Sequence, residues 1–242
     1  MSLLEIKNVT KRFGGLMANK DINISVEGGE IAGLIGPNGA GKTTLFNCVT
    51  GYYQSDSGQV IFDGNDITGW PAEKICRIGL ARTFQIVKPF MSMSVLENVM
   101  TACFLHTNST TAARKTASEL LEVTGLADKR RMLAANLTVA DKKRLELTRA
   151  LATKPKMLMF DEVMAGLTPT ETKEAIDLIL ALHKQDITIF LVEHVMEVVM
   201  PISNRVTVLD YGKKIAEGDP AQIVRNEQVI KAYLGEKYRA PS

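Results

Sequence analysis

A lysine and two threonines, Lys42-Thr43-Thr44, close the run Gly36-Pro37-Asn38-Gly39-Ala40-Gly41, which itself follows the apolar segment Ile31–Ile35. The spacing G-x-x-x-x-G-K-T is that of a glycine-rich loop that wraps a polyphosphate between a strand and a helix. Gly36, Gly39 and Gly41 let the backbone turn tightly enough to point successive N–H groups at one anion. Lys42 supplies a point charge for the β- and γ-phosphates and Thr43 a hydroxyl for Mg2+. A helix over 42–50 adds the positive end of its dipole. The chain is therefore expected to bind a nucleoside triphosphate. A second group stands at 161–162, where Met157-Leu158-Met159-Phe160 leads into Asp161-Glu162. Four apolar residues ending in two acids fit a buried strand beside the phosphate loop. Asp161 would serve the metal through water, and Glu162 would polarise the attacking water as general base.

These groups need a scaffold, and 242 residues suffice for one large α/β domain or a domain with a subdomain. Apolar content of 45% with 23% charged residues is that of a soluble globular protein. A net charge of +2 gives no ground for a nucleic-acid surface. The clusters Lys129-Arg130-Arg131 and Lys142-Lys143-Arg144 read as solvated helix faces. Cys48, Cys76 and Cys103 are far apart and form no C-x-x-C pair, so they read as small buried hydrophobes of a reduced compartment. The N-terminal stretch is too charged for a signal peptide, and no segment approaches the roughly 18 apolar residues that span a bilayer.

Alternating runs at 4–9 and 22–26, and a short strand at 59–62 closed by Asp63-Gly64, suggest an antiparallel β subdomain beside the phosphate-loop strand. Helical periodicity at 95–104, 112–124 and 139–152 indicates an α-helical subdomain over about 88–153. Strand and helix then alternate: a strand at 156–160, a helix at 169–183 and a strand at 187–192. A hairpin of strands 205–209 and 213–216 turns at Tyr211-Gly212, and a final helix starts at Asp219-Pro220. Residues 1–236 read as a single domain and 237–242 as a polar tail.

In this order the motifs resemble the ATP-binding subunit of an ABC transporter over residues 4–234. The resemblance implies a P-loop NTPase cassette: a RecA-like α/β core, an antiparallel β subdomain and an α-helical signature subdomain. It places Phe13 against adenine, and Gln85 of RTFQ in the Mg2+ and water network with a link to the membrane subunit. It also places His194 of LVEH at the γ-phosphate as a switch. The signature segment, usually LSGGQ, reads Leu137-Thr138-Val139-Ala140-Asp141 here. Thr138 and Asp141 make a plausible capping pair for the following helix. Val139 and Ala140, however, put side chains where glycines permit close approach, and Asp141 brings negative charge opposed by Lys142, Lys143 and Arg144. Val163 and Thr168 depart from the proline and aspartate common after the catalytic glutamate. Since each signature in the family completes the partner's site, these departures imply a heterodimer with two unequal ATP sites.

Within the family, KRFGGLMA, GLARTFQ, AGLTPTE and EGDPAQIVRNEQVIKAYLGE resemble the ATPases of branched-chain amino acid importers. That resemblance implies two transmembrane permease subunits, a second ATP-binding subunit and, indirectly, a periplasmic or extracellular substrate-binding protein. It implies a peripheral position on the cytoplasmic face of the inner membrane, with the apolar stretch 86–91 docking a permease helix. Similar cassettes serve lipopolysaccharide export and urea or amide systems. A soluble, non-transport ABC ATPase is the alternative of another class. It is disfavoured because the interval from Lys42 to Leu137 has room only for the small helical subdomain.

Overall fold

Alternation of apolar and polar residues makes the first 27 positions a half-buried ribbon. In the computed structural model, which describes residues 2–193 and 196–234, they form antiparallel strands β1 (Ser2–Phe13) and β2 (Leu16–Glu27). Leu4, Ile6, Val9, Ile22, Ile24 and Val26 point into the core. Both strands run beyond the alternating segments and meet at Gly14-Gly15, which carries Phe13 to the tip of the hairpin. The chain then crosses to β3 (Ile31–Ile35), passes through α1 (Lys42–Val49) and returns as β4 (Ser57–Phe62) and β5 (Asn65–Asp66). The first sheet has the order β2-β1-β4-β5. Asp63 and Gly64 both have positive φ, 49° and 75°, the two-residue turn whose twist suits a hairpin.

Two short elements that the periodicity did not predict follow, α2 (Ala72–Arg77) and β6 (Leu80–Arg82). Helices α3 (Val95–Cys103), α4 (Thr110–Val123) and α5 (Val139–Ala152) come next and bury Val95, Val99, Ala113, Ala117, Leu121 and Leu145 against one another. The chain re-enters the second sheet as β7 (Met157–Asp161) and leaves through α6 (Pro169–His183), whose proline occupies the first turn. It continues through β8 (Thr188–Val192), α7 (Met196–Val199), β9 (Arg205–Asp210) and β10 (Lys213–Gly218). Where one final helix is predicted there are two, α8 (Pro220–Ile223) and α9 (Glu227–Leu234). The break has a local cause: Asn226 Oδ1 accepts from the N–H groups of Gln228 and Val229 and so begins a new helix.

The second sheet has the order β10-β9-β3-β8-β7-β6, and every pairing but β10 with β9 is parallel. Strands β3, β7 and β8 are buried along their whole length, as parallel strands covered on both faces must be. Parallel order has a functional consequence. The carboxyl ends of β3, β8, β7 and β6 open along one edge, where open α/β sheets hold ligands. The phosphate loop, Glu193, Asp161 and the segment leading to Gln85 all leave the sheet there. Among the described residues no helix is long and apolar enough to cross a membrane.

Candidate active site

The loop after β3 is built so that only glycine fits its closest approaches. A Cβ on Gly36 would meet the Leu209 carbonyl oxygen at 2.1 Å, and one on Gly41 the Ala18 oxygen at 2.3 Å. Gly41 has a φ of 97° and is the N-cap residue of α1, where no side chain supplies a capping oxygen. The first-turn N–H groups, which have no partner within a helix, are therefore left to an external acceptor. Asn19 of β2, wholly buried, donates Nδ2 to the Gly41 oxygen at 3.0 Å and ties the loop to the hairpin.

Lys42 Nζ lies 2.7 Å from the Gly36 oxygen and 3.0 Å from that of Pro37, beneath the loop. Burial lowers its pKa, while Glu162, Asp161 and Glu193 pull it back up. Phe13, Asn38, Gly39, Ala40, Thr43 and Thr44 line one cleft, together with Glu162 and Tyr211. The Phe13 ring is 42% exposed and is held edge-on by Tyr53 at 5.3 Å. An aromatic face so placed beside a phosphate loop can stack on a nucleobase.

At the end of β7, Asp161 is buried, and burial raises its pKa against the opposing pull of Arg82. Its Oδ1 accepts from Thr43 Oγ1 at 3.4 Å and its Oδ2 from Arg82 Nη2 at 2.8 Å. Glu162 has a φ of 50°, an uncommon conformation for a residue with a side chain, and its N–H donates to the Val192 oxygen at 2.9 Å. The loop beyond it is clamped from two sides. Lys143 of α5 donates to the oxygens of Val163 and Ala165 at 2.8 and 2.6 Å, and Glu193 Oε1 accepts from the Met164 N–H at 2.9 Å. Burial raises the Glu193 carboxyl to about 7, and its other oxygen is buried without a partner among the described residues. Gln85 Nε2 reaches Glu162 Oε2 at 2.6 Å. The structure thus brings Lys42, Thr43, Gln85, Asp161 and Glu162 to one edge of the sheet. His194 lies outside the described residues.

The donor set suits Mg2+. Among the described residues there is no cluster of three or more His, Cys, Asp or Glu side chains that could cage an ion. A hydroxyl and one carboxylate beside a phosphate loop are what Mg2+ takes when phosphates supply its remaining ligands.

The segment Thr138-Val139-Ala140-Asp141 lies apart from this cleft, at the start of α5. Thr138 Oγ1 accepts from the Asp141 N–H at 3.1 Å and caps the helix, as the spacing predicts. The charge balance differs from expectation. Asp141 is met by Lys129 Nζ at 2.5 Å and by Thr138 Oγ1 at 2.9 Å. Lys143 is turned to the loop after Glu162, and Arg144 pairs with Glu174. Lys129, Lys143 and Arg144 thus have internal partners, although both basic clusters read as solvated faces in the sequence.

Four polar residues of the site do not stand out in the sequence: Asn19, Arg82, Lys143 and Glu193. Arg82, three residues before Gln85 on a strand that otherwise reads Leu80-Ala81, carried the clearest signal, a charge entering a buried sheet.

Comparison with known proteins agrees with this geometry. Residues 19–165 match the family model described as ABC transporter, and residues 213–239 that of the branched-chain amino acid ATP-binding cassette transporter. The high-affinity branched-chain amino acid transport ATP-binding protein BraF of Pseudomonas aeruginosa is 42% identical, over 97% of this chain and 98% of its own length. The corresponding LivG protein of Escherichia coli matches with the same identity and coverage. A crystal structure of the ADP conformation of an ATP-binding cassette of an ABC transporter superposes with a TM-score of 0.88 at 31% identity, covering 98% of this chain and 100% of that one. The β hairpin, parallel core and helical arm are thus those of an ABC cassette, and the chain belongs to the ATP-binding family of ABC transporters, whose members bind and hydrolyse ATP.

Proposed function

We propose that this chain powers a membrane importer of branched-chain or other amino acids by hydrolysing ATP at the loop 36–44. The observation that carries the substrate class is its 42% identity, over nearly the whole chain, with two ATP-binding proteins named for branched-chain amino acid transport. In this reading the loop and Lys42 bind the phosphates, and Phe13 stacks on adenine. Thr43, Asp161 and Gln85 would hold Mg2+, which when bound would neutralise phosphate charge. The attacking water gives its proton to Glu162 as its oxygen bonds to the γ-phosphorus. The β–γ bridging bond breaks, and ADP leaves with the electron pair. The 2.6 Å contact between Gln85 and Glu162 supports a shared water-positioning role. His194 acts at the γ-phosphate as the family resemblance implies.

The chain works as half of a dimer with a second ATP-binding subunit, each supplying residues 138–141 or their equivalent to the other's nucleotide. The helical arm over 88–153 belongs to the single domain of residues 1–236 and bears the α5 surface and, with the segment just before it, the permease contact. Ile86, Phe90 and Met91 are exposed and would dock a helix of one of the two permease subunits on the cytoplasmic face of the inner membrane. Phe90 is fixed for that contact: Asn98 bonds both its N–H and its carbonyl, at 2.8 and 3.0 Å, and the Arg149 guanidinium lies 4.8 Å from its ring centroid.

The reading is tested by reconstituting the chain with its partner ATPase and permeases in proteoliposomes. ATP-driven uptake of leucine, isoleucine or valine, dependent on the substrate-binding protein, is the expected result. ATP hydrolysis unresponsive to all three amino acids would overturn the assignment.

A further inference from the structure

Arg82 is the one strongly buried cation at the acidic end of the site, among the described residues, for which the reaction as set out has no use. Its side chain and that of Asp161 are 6% and 1% exposed, and Nη2 meets Asp161 Oδ2 at 2.8 Å. The guanidinium is itself held. Nη1 donates to Asn47 Oδ1 at 2.6 Å, on the helix that follows the phosphate loop, and to Thr50 Oγ1 at 3.0 Å, the C-cap residue of that helix. Its Cζ lies 4.4 Å from the ring centroid of Phe84, the residue before Gln85. A planar fork engaged on three sides cannot swing, so the carboxylate it grips cannot rotate either.

That restraint bears on the two Asp161 oxygens unequally. Oδ2 is committed to Arg82, and Oδ1 is the one that reaches Thr43 Oγ1. We propose that Arg82 is a positioning residue for the cation site, fixing Asp161 so that Oδ1 is presented beside Thr43. The proposal rests on the reading that Mg2+ and nucleotide bind at this loop. It adds a residue that touches neither. It also gives the segment carrying Gln85 a second connection to the metal, because the strand holding Arg82 leads into Phe84 and Gln85. Two effects compete when Arg82 is removed. Losing a positive charge favours a nearby cation, whereas losing the partner that orients a ligand disfavours it. Outer-shell partners of metal ligands typically cost about 10- to 100-fold in affinity when removed. Asp161 has little else to orient it, so the loss of orientation dominates.

The experiment measures binding of a fluorescent ADP analogue to the full-length chain, first in chelator and then across a Mg2+ titration. Wild type shows metal-free binding that Mg2+ tightens; the absence of any nucleotide binding would sink the functional reading and not this one. Arg82→Gln should keep the metal-free affinity and need about tenfold more Mg2+ to reach the half-point. Arg82→Lys, which keeps the charge but cannot engage Asn47, Thr50 and Asp161 together, should fall between. In an Asp161→Asn background Arg82→Gln should add nothing further. A Mg2+ half-point unchanged or lowered in Arg82→Gln overturns the proposal. So does loss of metal-free binding, which would make Arg82 a support of the loop itself. An undiminished Arg82 effect in the Asp161→Asn background overturns it as well.

Discussion

The N-termini of α1 and α5 are finished in opposite ways. At α1 the N-cap residue is Gly41, no side chain offers a capping oxygen, and Lys42 lies beneath the loop. At α5 the N-cap is Thr138, whose hydroxyl takes the Asp141 N–H, and the Asp141 carboxylate is closed off by Thr138 and Lys129. Val139, at the first position of α5, is 62% exposed. One terminus is left open for an anion and the other has satisfied itself. The same dipole that makes a helix start attractive to phosphate is thus available at α1 and partly spent at α5. On this argument the chain contributes more to its own nucleotide than to its partner's.

The sharpest way to break that contrast is to remove the proposed base beside the α1 loop. Glu162→Gln should lower turnover of the assembled complex by roughly 10²–10⁴, with ATP still bound. The matching change in the partner ATPase should cost less, because in the proposed dimer that site would face residues 138–141 of this chain. Steady-state ATPase rates of the two singly changed complexes decide it, and equal losses would remove the asymmetry. A smaller effect is expected from the charge under the loop. Lys42→Ala removes a charge-assisted contact worth about 2–3 kcal/mol, a weakening of roughly 30- to 150-fold in nucleotide Kd. Lys142→Ala, near the α5 terminus, should leave the affinity of the isolated chain unchanged. Calorimetric titration with ADP separates the two.

The sequence makes α1 far more legible than α5 or the strands beside it. The α1 site is written in consecutive residues, since a loop that must approach a phosphate closely needs glycine at fixed places. A Cβ at Gly36 or Gly41 would strike a carbonyl oxygen. Asp161 and Glu162 were legible for a related reason, an apolar run ending in acid. Strand–helix alternation and the helical arm follow from periodicity, the cassette fold from the resemblance carried by the order of the motifs, and the family comparison bears that fold out. What the sequence hides is pairing between distant segments. Lys143 and Arg144 look like solvent-facing charges. In space, one of them caps carbonyls some twenty residues away and the other meets Glu174 on α6. Thr168, notable in sequence only as a departure from aspartate, forms a capping box with Glu171 that starts α6. Short elements such as β6, three residues long, carry too little pattern to be read, yet β6 places Arg82.

A titration sharpens how α5 is tied to the rest of the site. Glu146, two turns into α5, has its pKa raised to about 7, first by burial. The Phe84 backbone N–H and the charges of Arg149, Arg82 and Lys143 act against that shift. Because the folded state holds this proton more tightly than the unfolded chain, the stabilisation is complete below the ordinary carboxyl pKa. It declines as pH rises and is lost once the folded carboxyl ionises, near pH 7. Glu193 shifts in the same direction, also to about 7. The melting temperature should therefore fall by about 3–5 °C between pH 5 and 8, the partial exposure of Glu146 tempering the swing. Glu146→Gln and Glu193→Gln should each flatten part of that fall. A wild-type profile already flat across this range would contradict the assignment.

The smallest effect tests the contrast at its origin. Thr138→Ala removes the hydroxyl that caps α5 and releases one contact of Asp141. Loss of such a cap costs about 1 kcal/mol, which for a domain of this size lowers Tm by roughly 2–4 °C. Nucleotide affinity of the isolated chain should not move, since Thr138 lies outside its cleft. At α1 there is no cap to delete, and the informative change runs the other way. Gly41→Ala places a methyl 2.3 Å from the Ala18 oxygen, on a backbone with a φ of 97°. Its damage should appear in ADP binding as well as in Tm. If both substitutions lowered Tm alone, the two termini would be equivalent structural features. A loss of ADP binding confined to Gly41→Ala would mark α1 as the end built for the anion and α5 as the end built for itself.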